Sequence, residues 1–341
     1  MSNQPPIEVP QGAIRLNTDS QRLEFFAQDR WYEMATENAS IGNIGFRVSG
    51  TGAGATLIES FNITTLGNSH DTGFDLSTSR GAFGCSASRT RAVICGGNAP
   101  GVSNSNDIQY FEMTSLSNTI DFGDLTYDAA EAGAHSNNVR LVVTGAASHA
   151  SNVINFLTVA STGSAQDFGD QGNSLSSVTS CGSPTRALFG GGVNPGVKNI
   201  IEFVTIASTG NSVDFGDLTV ARYSAGSGSN NTRGLFIMGN AGSPTNQVNT
   251  IDFVTISSTG NAQDFGDSSM SDTGGPTQGP GICASPNRIV FFGGYITGGT
   301  DRTTEMEYVN PTTRGNSTRF GDLETAQNSD GNALSSSHGG L

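Results

Sequence analysis

Thr250-Ile251-Asp252-Phe253-Val254-Thr255-Ile256-Ser257-Ser258-Thr259-Gly260, followed shortly by Asp264-Phe265-Gly266-Asp267, decides the fold, because the chain writes it more than once. Ile201-Glu202-Phe203-Val204-Thr205-Ile206-Ala207-Ser208-Thr209-Gly210 and Asp214-Phe215-Gly216-Asp217 are a second copy. An apolar run opening with Arg precedes each copy: Arg233-Gly234-Leu235-Phe236-Ile237-Met238-Gly239 and Arg186-Ala187-Leu188-Phe189-Gly190. Phe-Gly-Asp alone occurs at Phe122, Phe168, Phe215, Phe265 and Phe320, with starts 46, 47, 50 and 55 residues apart. Self-similarity at this period marks a repeat architecture and outranks other readings.

Each unit reads as four short strands: a small-residue strand such as Tyr223–Gly228, an Arg-led apolar strand, an alternating strand such as Ile251–Ile256, and a strand ending at Phe-Gly-Asp. Turns rich in Ser, Asn, Pro and Gly separate them. Four strands in this length, with small residues on the first, are expected to form a propeller blade whose first strand lines a crowded centre. The frame also appears in damaged form near the start. Phe46–Gly50 is a second strand, Ser60–Asn68 a third, and His70–Leu76 an altered Phe-Gly-Asp segment, while Asn332–Gly340 reads as a first strand. The expectation is an all-β chain: a six-bladed β-propeller over residues 39–341, closed by a C-terminal strand that completes blade 1 and hides its edge.

Composition agrees. Gly is 46 of 341 residues and charged residues are only 13 %. A net charge of −14, with 16 scattered Lys and Arg, argues against a nucleic-acid surface. No run approaches the roughly 18 apolar residues of a membrane helix, and Met1–Pro6 lacks the basic and apolar regions of a signal peptide. Membrane insertion is not expected. Cys85, Cys181 and Cys283 precede the repeat Arg by five or six residues and are expected at one equivalent position as small buried thiols, with a Cys85–Cys95 bridge the minor alternative. Neither they nor the four His show ligand spacing, so no metal or cofactor is expected.

The frame Arg222…Gly226, Arg233–Gly239, Ile251–Ile256 and Phe265 resembles a degenerate kelch repeat. Gly96-Gly97, Gly190–Gly192 and Gly293-Gly294 match its double Gly; Gly239-Asn240 and Gly145-Ala146 depart from it, and Phe replaces its usual final Trp. More narrowly, Phe203–Gly210 with Asp214–Thr219 is similar to kelch-like propellers in structural proteins of tailed bacteriophages. That resemblance implies a non-enzymatic virion component, a tail-fibre, appendage or capsid-decoration type of protein assembled in the host cytoplasm. Its implied partners are other virion proteins and a host-surface glycan.

Residues 1–38 stand apart. Gln11–Phe26 forms two strands around Asn17-Thr18-Asp19, and Arg30–Met34 adds a third; Phe25, Trp31 and Tyr32 give the module its aromatic surface. It is too small to bury a core alone. Two readings stand: a hairpin packing under the propeller, or a docking and oligomerising module resembling those near the ends of phage tail-fibre proteins.

Four Asp-Phe-Gly triplets copy a kinase metal-binding motif, but the chain lacks the kinase Gly-rich loop and catalytic loop, so a repeated structural role is expected. The recurring Arg (Arg91, Arg140, Arg186, Arg233, Arg288) and the terminal Asp of each Phe-Gly-Asp are expected to pair strands or blades. One carboxylate per repeat falls short of the roughly six to eight oxygens of a calcium site. A sialidase or copper oxidase would need Arg, Tyr, Glu or His clusters that the inner-strand segments lack. A kelch-type protein- or glycan-binding module outside a virion is the main alternative to the virion role. In a four-stranded meander, the 1–2 and 3–4 turns share one face. Here those turns are nearly constant, whereas the loops of the opposite face vary. The longest, Ser268–Gly281 and Tyr295–Thr304, carry Asp272, Tyr295, Asp301 and Arg302, expected to meet an outside partner unless the variation is neutral drift.

Overall fold

The computed structural model describes residues 9–17, 22–27, 30–33, 43–48, 56–99, 101, 104–115, 117–145, 151–243, 247–270, 277, 279–294, 303–325 and 333–341. The chain divides into two compact units, residues 1–40 and 41–341. In the first, strands Ile14–Asn17, Arg22–Ala27 and Arg30–Glu33 form an antiparallel sheet in chain order. In the second, the described strands form six four-stranded antiparallel sheets, the blades of a six-bladed propeller.

The inner strands, from blade 1 to blade 6, are Ala333–Ser335, Gly84–Ala87, Gly133–Ser136, Thr179–Gly182, Gly226–Ser229 and Gly281–Ala284. Each contacts the next, and the sixth contacts the first, so the ring is closed. Closure is made as expected: Ala333, Leu334 and Ser335 pair with Arg47, Phe46 and Gly45 of strand Ile44–Val48. The strand is shorter than the sequence suggested, because Ser336–Leu341 turns away from it.

Every apolar cluster draws on two neighbouring blades. Phe46, Ile58 and Phe74 of blade 1 meet Phe83, Ile94 and Phe111 of blade 2, for example, and five further clusters fill the other seams. Both faces of a blade are therefore covered, which is why the second strands are continuous apolar runs rather than alternating ones.

The Phe-Gly-Asp repeat is a bulge that locks one blade to the next. Phe122, Phe168, Phe215, Phe265 and Phe320 are buried edge-on to the third-strand rings of Tyr110, Phe156, Phe203, Phe253 and Tyr308. The ladder shifts register at this point in each of these blades. The leading Asp of Asp-Phe-Gly closes the bulge at Asp121, Asp167 and Asp264, which accept from the Gly123, Gly169 and Gly266 amides. The Gly then meets the 3–4 turn of the following blade. A Cβ on Gly216 would stand 2.5 Å from the carbonyl carbon and oxygen of Gly260. The terminal Asp pairs through its main chain: Asp170, Asp217, Asp267 and Asp322 donate N–H to the side chains of Asn211, Asn261, Asn316 and Asn68.

The repeat Arg also crosses the seam. Arg91, Arg140, Arg186, Arg233 and Arg288 donate to the carbonyls of Val159, Ile206, Ile256, Pro311 and Ile63 in the following blade, at 2.9–3.1 Å. Each guanidinium also lies 4.4–4.8 Å from the third-strand ring of its own blade. Blade 1 has Ile44 at the Arg position and Ser60 at the ring position, so cation and π face are missing together. Ile44 packs instead against the cluster containing Met113.

Candidate functional site

The inner strands bound a channel, and the two ends of that channel are built differently. At one end, the chain enters each inner strand through a residue two positions before it. Ala82, Glu131, Ser177 and Ser224 hold that position at φ values of +55°, +53°, +55° and +46°, and Gly279 at +66°. A left-handed non-glycine residue costs roughly 1–2 kcal/mol, so four at one rim require support. They support one another. Glu131 N–H donates to Ala82 O, Ser224 N–H to Ser177 O at 3.1 Å, and Gly279 N–H to Ser224 O at 2.6 Å. The Ser177 hydroxyl donates to the Glu131 carboxylate.

A cavity of about 110 Å³ lies within this rim. A smaller one, about 50 Å³, shares Ala134, Ser180 and Ile282 with it and continues toward the other end. The rim lies on the same face as the variable loops, since the loops entering first and third strands emerge together in a meander.

The opposite end is plugged by the chain itself. His338 Nε2 donates to Ala87 O at 2.7 Å, and its Nδ1 accepts the Gly340 amide at 3.1 Å. Any Cβ on Gly339 or Gly340 would overlap the carbonyls of Gly182 and Ser136, so only glycine can follow His338 into this space. Burial lowers the titration point of His338 to about 4. With Nε2–H on a carbonyl and an N–H aimed at Nδ1, a second proton has no acceptor. His135, beside it, falls to about 3 through burial first and His338 second.

Around this end, adjacent inner strands are stitched by hydroxyls. Ser136 Oγ donates to Ala87 O, Ser229 Oγ to Gly182 O and Ser335 Oγ to Ala284 O, each at 2.6 Å. Ser therefore alternates with Ala or Gly at this level, and these three bonds fall on alternate seams of the ring.

Arg–Asp ion pairs fasten two of the segments that lead into the rim. Arg222 Nη2 lies 2.5 Å from Asp252 Oδ2, with both side chains fully buried, and its Nη1 donates to Met238 O and Thr250 O. Asp252 also accepts from the Thr219 amide and hydroxyl. Arg80 repeats the arrangement with Asp107 and Gly96 O. Burial lowers the pKa of Arg222, and Asp252 opposes that shift. Alternation in Ile251–Ile256 would turn Asp252 to solvent, so this pair was not legible; the Arg recurring four residues before Gly84 and Gly226 was the available signal.

Of the residues proposed to meet partners, Asp272, Tyr295, Asp301 and Arg302 lie outside the described residues. The Ser268–Gly281 loop is not free throughout, because Thr277, Gly279 and Pro280 are buried at the rim. In the N-terminal sheet, Phe25 is in register with Tyr32 and Phe26 with Trp31. Trp31 is half-buried, with the Arg15 guanidinium 4.1 Å from its ring centroid and Phe26 at 5.3 Å.

The cysteine expectation needs one correction. All four thiols are free. Cys181 and Cys283 share the third inner-strand position, opposite Leu188 and Val290, but Cys85 is at the second, opposite Ile94. One residue's difference before the Arg moves the side chain to the other face. Burial pushes the Cys85 and Cys181 thiols up to about 12. Among the described residues, no three metal-ligating side chains gather. No protein-family profile matches the chain, and no curated protein does.

Proposed function

We propose that this chain is a non-enzymatic structural protein of a tailed-phage particle. It is an appendage or tail-fibre-like propeller, docked and oligomerised through its N-terminal module and presenting its variable loops to a host-surface glycan or a neighbouring virion protein. The observation that carries this reading is the inequality of the two faces. One is made of near-constant turns committed to the next blade, and its channel end is filled. The other carries the unequal loops and an open, strained rim on the same rigid ring, the arrangement in which recognition loops are usually found. The resemblance of Phe203–Gly210 and Asp214–Thr219 to phage propellers supplies the setting, and that part rests on likeness of sequence.

Immunogold labelling of purified particles tests the setting directly, with label on intact virions expected. Residues 39–341 alone should fold as a monomer yet fail to enter particles. Entry of that fragment would make the propeller the anchor. Shortening 295–302 while sparing 277–281, whose described residues are buried, should weaken adsorption without changing the melting temperature. Unaltered adsorption would remove the loops from the recognition role.

A further inference from the structure

We propose that the rim cavity of the channel binds a primary alkylammonium group, carried either by a free amine or by a lysine side chain of a partner. The assignment does not depend on the virion setting. Among the described residues, Glu131 is the charged one lining the cavity. Its Oε2 accepts the Ser177 hydroxyl, which holds the carboxylate at the rim and leaves Oε1 for a ligand. Deeper on the same side, the carbonyls of Ala132 and Val178 project toward the inner-strand glycines of the neighbouring blades. Each lies 3.0 Å from where a Cβ of Gly84 or Gly133 would stand. Deeper again, Ser180 lines both cavities. Its hydroxyl, tucked away from solvent, has no hydrogen-bond partner in the protein and is reached by a ligand through rotation about its Cα–Cβ bond.

Acceptor oxygens thus descend one wall of the channel, along blades 3 and 4. The opposite wall, from blades 6 and 1, is apolar: Pro280, Ile282 and Ala333. An alkylammonium ion matches both walls. Its head offers three donors and no acceptor, and charge-assisted bonds to a positioned carboxylate are the strong kind. Its methylene stem covers the apolar side. The size fits as well, since the small inner strands leave about 110 Å³, enough for a short alkyl chain. A calcium ion would need roughly six oxygens and more than one carboxylate. A sugar usually lies on an aromatic face, and among the described residues Phe83 is the only aromatic one of the lining. The net charge of −14 draws cations toward the mouth.

The test is calorimetric titration of the full chain, at low salt, with n-butylammonium and Nα-acetyl-lysine methylamide, against n-butanol and methyl glucoside. Both ammonium probes should bind saturably in the millimolar range, with butanol at least about tenfold weaker. Glu131→Gln, which can still accept from Ser177, should melt like the parent and lose about tenfold in affinity for both ammonium probes. Ser180→Ala, remote from the rim hydrogen bonds, should weaken binding and serves as the second variant. Tighter binding of the lysine derivative than of butylammonium assigns the site to a partner's lysine; the reverse assigns it to a free amine. Equal affinity for butanol, preference for the glucoside, binding undiminished in both variants, or no binding of either ammonium probe would overturn the proposal.

Discussion

The imidazole of His338 meets that of His135 edge to face, with ring centroids 5.3 Å apart and planes at 66°. Two rings kept neutral in one channel make the propeller sensitive to acid. Free histidine titrates near 6.5, but burial lowers His338 to about 4 and His135 to about 3. Between those values the unfolded chain takes up protons that the folded chain refuses, so stability is full above pH 6.5 and declines as pH falls toward 4. Calorimetric melting from pH 8 to pH 4 should show this decline, and His338→Gln should flatten it. Equal slopes for the two proteins would mean that the rings do not couple to folding.

The bulge glycine and the turn glycine it faces predict unequal costs for the same substitution. Gly216 and Gly260 have similar backbones, φ +146° and +155°. A Cβ on Gly216 strikes the Gly260 main chain, whereas a Cβ on Gly260 meets nothing within 4 Å. Gly216→Ala should cost about 3 kcal/mol or more, combining overpacking with strain, and Gly260→Ala about 1 kcal/mol from strain alone. Urea denaturation of the two variants measures the difference; equal losses would show that the seam is loose.

Arg222→Met should destabilise by about 3–5 kcal/mol, because it leaves the buried Asp252 carboxylate with only the Thr219 donors. Adding Asp252→Asn to that variant should recover part of the loss. A denaturation cycle over the four proteins reads the coupling, and strictly additive costs would deny it.

Two truncations separate closure from plugging. Removing residues 336–341 leaves Ala333–Ser335 in blade 1 and should give a soluble, unaggregated protein with a modestly lower melting temperature. Removing 326–341 deletes that strand, bares the edge of Ile44–Val48, and should cause aggregation. Light scattering distinguishes the two, and a soluble product from the longer deletion would place closure elsewhere.

The blades were legible because every seam uses the same chemistry. An Arg must reach the next blade, a Phe must fill the gap, and a Gly must admit the neighbouring turn, so Arg186, Phe215 and Gly216 recur in register. The rim was hidden for the opposite reason. Ala82, Glu131, Ser177 and Ser224 adopt a glycine-like conformation without being glycine, held there by bonds between segments roughly 50 residues apart in sequence. The plug was hidden too, since Ser336–Gly340 reads as one more inner strand until the crowding at Gly339 and Gly340 is seen.

The pairing of Ala333–Ser335 with Ile44–Val48 also sets a timetable for synthesis. Blades 2 to 6 are each complete within a continuous stretch of chain, so each can form as soon as it leaves the ribosome. Blade 1 cannot. Its second strand emerges early and must then wait for nearly the whole remaining chain, roughly a quarter of a minute to a minute at 5–20 residues per second. Throughout that interval an apolar strand edge is unpaired beside newly made copies of itself. Ring assembly is therefore most exposed to exchange between nascent chains at this one blade, and faster translation or lower expression temperature acts on yield there rather than on the five blades that finish alone.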